Sequence, residues 1–289
     1  MHTSLTERLK RSAVAEKDGI FVAREIADRT VWDKLAEENP HHAVISAENE
    51  VAAEAKSIEQ ISDMLNFLEP GQTLLDLGCG YGRVAQYLLP QLKLGGYIGV
   101  DSAYEMLRIF QRRYESREEE QGTPLMLVNA DIHTLPLKDQ SVDAMIVCAV
   151  FLHNHKSVVE AAMREVTRVL KPGGTFLVYS SFPRGATLMG LQGYTYQGLL
   201  NLLGQRLKNG PVRYYRSHEI KSLLKEFDTV ELKPKGYAAL PKTIVGLPQP
   251  LERIYRQGVA NPLNYFLSRM TPRELERFFA VHYDVVAKR

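Results

Sequence analysis

The sequence predicts an α/β fold: a mostly parallel sheet with helices on both faces. Three observations carry this. From residue 72 onward, short apolar runs alternate with longer amphipathic segments. Those runs are apolar throughout rather than at every second residue, as strands buried on both faces require. Turn residues punctuate the alternation, at Pro70-Gly71 and at Lys171-Pro172-Gly173-Gly174.

Residues 1–70 read as a polar, helical N-terminal cap. Within it, 57–68 places Ile58, Ile61, Met64, Leu65 and Leu68 on one helical face. The main domain spans 71–289. Its strand candidates are 73–77, 97–100, 125–128, 144–151 and 175–179, with helices expected at 84–94, 104–119 and 158–170. After Ser181 the alternation lapses into two insertions, 182–215 and 239–278, parted by a helix at 219–227 and a strand at 230–237. Residues 279–287 close the chain as a last strand.

The 289 residues are 45% hydrophobic and 24% charged, with a net charge of +2. That composition builds a large core, and the near-neutral charge demands neither nucleic acid nor an anionic membrane as a partner. The longest apolar run, 144–152, is too short to span a bilayer. The first residues lack the apolar stretch of a secretory signal. Cys79 and Cys148 both fall in core-like segments, so no disulfide framework is expected and a cytoplasmic location is the simplest reading.

One motif carries chemistry. Asp76-Leu77-Gly78-Cys79-Gly80-Tyr81-Gly82 closes a buried strand and opens a helix. Glycines there let the backbone turn tightly and approach a ligand beyond the strand ends. Alone, such a turn is equally a bland strand-to-helix connection. It is followed, however, by Asp101 at the end of the next strand, where a carboxylate can accept from both hydroxyls of a ribose. Asp131-Ile132 follows the third strand, where a carboxylate can accept from an exocyclic adenine amine. Met106 and Ile132 are placed to sandwich the ring.

The run LLDLGCGYGRVAQYLL, then YIGVDSAYEML, NADIHTLPLKDQSVDAMIVCAVFLHN and EVTRVLKPGGTFLVYS, resembles the class I S-adenosylmethionine-dependent methyltransferase family, in its small-molecule branch. The resemblance covers roughly residues 72–180. It implies a three-layer Rossmann-like sheet of seven strands, the last inserted antiparallel at 279–287. It implies S-adenosyl-L-methionine as cofactor and S-adenosyl-L-homocysteine as product. Gly78, Cys79, Gly80 and Gly82 would lie against the methionine part, with Asp76 directed toward its amino group. Asp101 and Ser102 would hold the ribose, and Asp131, Ile132 and Met106 would frame the adenine. Ala149 and Val150 would face the reacting methyl. The rival on the same turn, a nicotinamide dehydrogenase, spaces its glycines as G-x-G-x-x-G; here the third glycine comes one residue early and Arg83 takes the rival's position.

Methyl transfer needs alignment and exclusion of water, and for some acceptors removal of a proton. The Asn/Asp-Pro-Pro-aromatic motif of enzymes acting on base amino groups or protein glutamine is absent after the fourth strand. His153 stands where related O-methyltransferases carry a base, and His155 is the second candidate; the alternative for both is a helix cap or a packing group. No metal site is expected.

The two insertions are expected to roof a substrate site. Tyrosines 194, 196, 214 and 215 with Met189 either line an aromatic pocket or form the insertion's own core. Residues 182–235 hold nine Lys or Arg against four Asp or Glu, including Arg184, Arg213 and Arg216. That suits an anionic acceptor or a solvated basic face. Segment 239–278 suits a hydrophobic channel, a homodimer interface or a lipid-facing surface. Phe21 and Trp32 are candidates for closing over the cofactor. The expected function is methylation of a small organic acceptor, at oxygen ahead of nitrogen or carbon. A tRNA or protein methyltransferase and a silent cofactor-fold binding subunit are the alternatives.

Overall fold

The computed structural model describes residues 4–24, 26, 50–115, 122–185, 187–202, 204, 212–240 and 247–289. Nine strands form one sheet: β1 (Val14–Lys17), β2 (Ile20–Ala23), β3 (Thr73–Leu77), β4 (Gly96–Asp101), β5 (Leu125–Asn129), β6 (Val142–Cys148), β7 (Leu170–Pro183), β8 (Thr229–Lys235) and β9 (His282–Lys288). Their order is β1-β2-β5-β4-β3-β6-β7-β9-β8. The pairs from β5 to β7 are parallel, and β9 lies antiparallel between β7 and β8. The expected seven-stranded sheet with its antiparallel last strand is therefore present. It is widened at one edge by β1 and β2, with β2 parallel to β5.

Successive strand residues point to opposite faces. Leu74, Tyr97, Leu127 and Ile146 pack on one side with α1 (Glu50–Leu65), α2 (Arg83–Leu88) and α3 (Tyr104–Glu115). Leu75, Ile98, Met126, Val147 and Val178 pack on the other with α4 (Lys156–Val169) and α6 (Ser217–Leu223). The insertions contribute α5 (Leu188–Leu202), α7 (Gln249–Tyr255), one π turn (Arg256–Ala260), α8 (Asn261–Met270) and α9 (Arg273–Phe279).

Three expectations need correction. Residues 1–70 are not a purely helical cap, because 14–23 form a hairpin that joins the sheet; the Asp18-Gly19 turn, with both residues at positive φ, is its signature. Ile58 is 48% exposed, so the buried face of α1 is Ile61 and Met64, continued by Leu68. The described parts of the insertions are largely helical where glycines and prolines suggested loops. Pro250 stands in the first turn of α7, where a missing N–H costs nothing, and Pro262 directly follows the π turn inside the continuous helix. Lys171-Pro172-Gly173-Gly174 is a bulge within β7, which pairs with β6 on both sides of it. Trp32 lies outside the described residues.

Candidate active site

The carboxyl ends of β3, β4, β5, β6 and β7 gather at one edge. Asp76 pairs in register with Gly99 of β4 and Ile146 of β6, deep between its neighbours. Its carboxylate is buried, and Oδ2 accepts from the Tyr97 hydroxyl at 2.5 Å. Among the described residues, Oδ1 has no hydrogen-bond partner. Burial raises the Asp76 pKa to about 7. A buried acceptor left open in this way is poised for a donor, above all a cationic one.

The glycine turn is tied to the end of β4. Gly78 and Cys79 both donate their amides to the Val100 carbonyl, at 2.7 and 3.0 Å. Gly80 donates to Asp101 Oδ2 at 2.8 Å, while Asp101 Oδ1 accepts from Ala103 at 2.8 Å. Gly78 and Gly82 adopt φ of +80° and +82°, which side-chain-bearing residues rarely hold. A Cβ on Gly78 would collide with Val150, and one on Gly82 with the Phe110 ring. The structure thus brings Asp76, Gly78, Gly80, Asp101 and Val150 together.

The remaining sites fall as follows. Asn129, at the end of β5, donates to the carbonyls of Asp101 and Ser102, both at 3.0 Å, and so fixes the turn that carries them. Asp131, Ile132 and Met106 are buried. Met106 packs with Tyr81 and Ala103, whereas Ile132 belongs to the larger core, so the two do not share one cluster. Burial pushes the Cys79 thiol well up, which makes it inert. Ala149 holds φ +59° and donates to the Tyr179 carbonyl; Val150 donates to Ser181 Oγ at 3.0 Å.

His153 ends a 3-10 turn, Phe151–His153, directly after β6, and burial pushes its pKa down. It is therefore a neutral imidazole at neutral pH, able to take a proton. His155 is exposed, and its Nδ1 accepts from the Ser157 amide at 3.4 Å as the N-cap of α4. Its ring is engaged in holding the helix end. The two segments meet at that turn: Arg213 donates its amide to the Leu152 carbonyl, and the Tyr215 hydroxyl donates to the Phe151 carbonyl.

Arg184 and Arg213 of the first insertion have structural partners. Arg184 stacks on Tyr283 and donates to the carbonyls of Arg277 and Ala280. Arg213 stacks on Tyr215 and pairs with Glu219 at 3.4 Å.

A buried polar chain that the sequence did not announce runs beneath the site. Arg83 donates to Ser57 Oγ at 3.0 Å, Gln60 Oε1 at 3.2 Å and Cys148 Sγ at 2.7 Å. Gln60 Nε2 donates onward to Ser180 Oγ at 3.0 Å. Ser180, at φ +52°, donates its amide to Asp284 Oδ1, which lies 3.3 Å from His282 Nε2. The only sequence signal was a charged residue, Arg83, at the start of an otherwise apolar helix.

Fold and site together define a three-layer α/β domain built to hold a nucleoside-type ligand at its carboxyl edge. Residues 75–178 match the methyltransferase domain family. A fatty-acid O-methyltransferase of Mycolicibacterium smegmatis is 32% identical over 115 residues, 39% of this chain and 39% of that protein. The demethylmenaquinone methyltransferase of Thermus thermophilus is 32% identical over 145 residues, 49% of this chain and 63% of that protein. The chain spans less than two thirds of the length of these curated relatives. A methyltransferase structure from Archaeoglobus fulgidus shares the fold at 13% identity and a TM-score of 0.51, covering 81% of this chain and 94% of its own. The chain carries a class I S-adenosylmethionine-dependent methyltransferase domain.

Proposed function

We propose that the protein methylates a small organic acceptor, with oxygen as the accepting atom. The observation that carries the methyl-transfer part of this is the buried Oδ1 of Asp76 beside the glycine turn, which has no hydrogen-bond partner among the described residues and fits the amino group of S-adenosylmethionine. Asp101, held at the end of β4 by the Gly80 and Ala103 amides, is placed to meet ribose hydroxyls, and Asp131 with Ile132 supplies the adenine side. When bound, the cofactor supplies the reactive methyl and its leaving group.

The chain's own work is to align the acceptor, exclude water and hold a base. His153 is the proposed base: neutral, half-buried and at the end of β6 beside Val150. The two residues before it are strapped by Arg213 and Tyr215, which steadies the turn that carries it. The insertions 182–215 and 239–278 form the acceptor's roof. Both leave and return at the carboxyl edge, between β7 and α6 and between β8 and β9. The names of the two relatives, for a fatty acid and a quinone precursor, support a small organic acceptor. The buried thiols of Cys79 and Cys148, without a disulfide, support a reducing, cytoplasmic setting.

Calorimetry with S-adenosylmethionine tests the cofactor reading; no binding would overturn it. Tritium transfer from labelled cofactor into cell extract, split into small-molecule, RNA and protein fractions, tests the acceptor class. Label in RNA or protein alone would refute a small acceptor.

A further inference from the structure

We infer that the outer face of the long helix in the second insertion docks the protein on an anionic lipid bilayer. The inference goes beyond the methyl-transfer reading and stands without it.

The backbone of α7, the π turn and α8 is helical without a break from 249 to 270. Along it, Leu251, Ile254, Val259, Leu263, Phe266 and Met270 are all exposed. Their spacings are three, five, four, three and four. The five falls across the π turn, whose extra residue keeps the stripe on one face. Ile254 is 66% exposed, Phe266 57% and Met270 65%. The opposite face holds the helix to the protein. Ala260 is fully buried, and buried Asn264 exchanges two hydrogen bonds with the Leu240 backbone, 2.8 Å from its amide and 2.9 Å to its carbonyl. This is an amphipathic helix mounted with its polar anchor inward and its apolar stripe outward. Phe278 of α9 is likewise exposed, at 57%. A contiguous apolar surface of this kind is rare on a soluble face without a partner.

Charge selects the partner. Residues 247–279 hold five Arg against three Glu. Arg253, Arg269 and Arg277 are exposed on the helices that carry the apolar residues. A second copy would set two basic faces against each other. A bilayer containing anionic lipid takes both the apolar stripe and the positive charge. No helix among the described residues is long and apolar enough to cross a membrane, so the contact lies in the plane of the interface.

Cosedimentation of the full chain with vesicles tests this. One set is phosphatidylcholine alone and the other contains phosphatidylglycerol in equal part. The expected result is binding to the anionic vesicles that weakens with added salt and is several-fold poorer on the neutral ones. The variant I254E/F266E/M270E should lose roughly a factor of ten or more in vesicle affinity. Its circular dichroism and its calorimetric affinity for S-adenosylmethionine should match the parent. Absence of sedimentation by the parent, or equal sedimentation by the variant, would overturn the inference. So would light scattering that shows a dimer split by the same substitutions, because the stripe would then belong to a second copy. Arg253→Glu with Arg269→Glu gives an independent arm, expected to remove the preference for anionic vesicles while leaving the fold intact.

Discussion

The floor of the site and the insertions proposed to roof it are built on opposite terms. At the floor, polar atoms are buried and nearly all committed: Arg83 reaches three partners, Asp101 accepts from two amides, and Gly78 has no room for a methyl group. At the roof, large apolar side chains stand in the open, from Leu191 and Leu202 on α5 to Phe266 and Met270 on α8. A floor of this kind fixes one ligand in one pose. Exposed apolar helices of this kind adapt to what they meet. The contrast predicts that substitutions at the floor are severe and those at the roof mild in stability, whatever they do to function.

The largest effect should come from Arg83→Met. It leaves Gln60 Oε1 without its guanidinium and removes the positive charge facing Asp76, so unfolding free energy in urea should fall by about 3–5 kcal/mol. Gly82→Ala comes next. It forces a side chain into the left-handed region and against Phe110, and should cost about 2–4 kcal/mol by the same measurement. Asp101→Ala should weaken S-adenosylmethionine binding by about 1.5–3 kcal/mol in calorimetry; unchanged affinity would remove its ribose role.

Asp76 gives a pH test. Its pKa is raised by burial, so the folded chain holds a proton that the unfolded chain releases near pH 4. Its contribution to stability is therefore greatest at low pH. It falls as pH rises from about 4 to about 7 and is flat above, a trend that Asp76→Asn should abolish. If the ligand's ammonium favours the carboxylate, binding below about pH 7 should expel a proton, measurable as a dependence of binding heat on buffer ionisation. At the roof, Ile254→Glu should change unfolding free energy by less than about 0.5 kcal/mol. A large loss there would show that the stripe belongs to the core and would erase the distinction.

His153 lies where floor and roof meet, and His153→Ala separates two roles. A base requires turnover to fall while cofactor affinity holds. Full activity would leave alignment as the whole of the chemistry.

The floor was legible in the sequence because its information is local. The spacing of Gly78, Gly80 and Gly82 sets a turn, and continuous apolar strands set the sheet. Asp76 and Asp101 then mark strand ends by position alone. What escaped was what depends on distance along the chain. Gln60 meets Arg83 and Ser180 only after folding, and no periodicity announces it. The 14–23 hairpin escaped because its strands are four residues each, too short to establish an alternation. The insertions were misread because Pro250 starts a helix and Pro262 sits within one after a π turn, in the same letters that break helices elsewhere.

The two outermost strands limit how copies of this protein can meet. β1 is four residues long and buries only Val14, ending in Glu16 and Lys17. β8 carries Lys233, Pro234 and Lys235 at its exit, with Pro234 opposite Tyr283. A proline offers no N–H to an incoming strand, and lysines resist losing water along an edge. Growth of the sheet from one molecule into the next is thereby blocked at both margins. Crowded or overexpressed protein is therefore expected to associate through helices and to stay free of fibrils rich in cross-strand pairing.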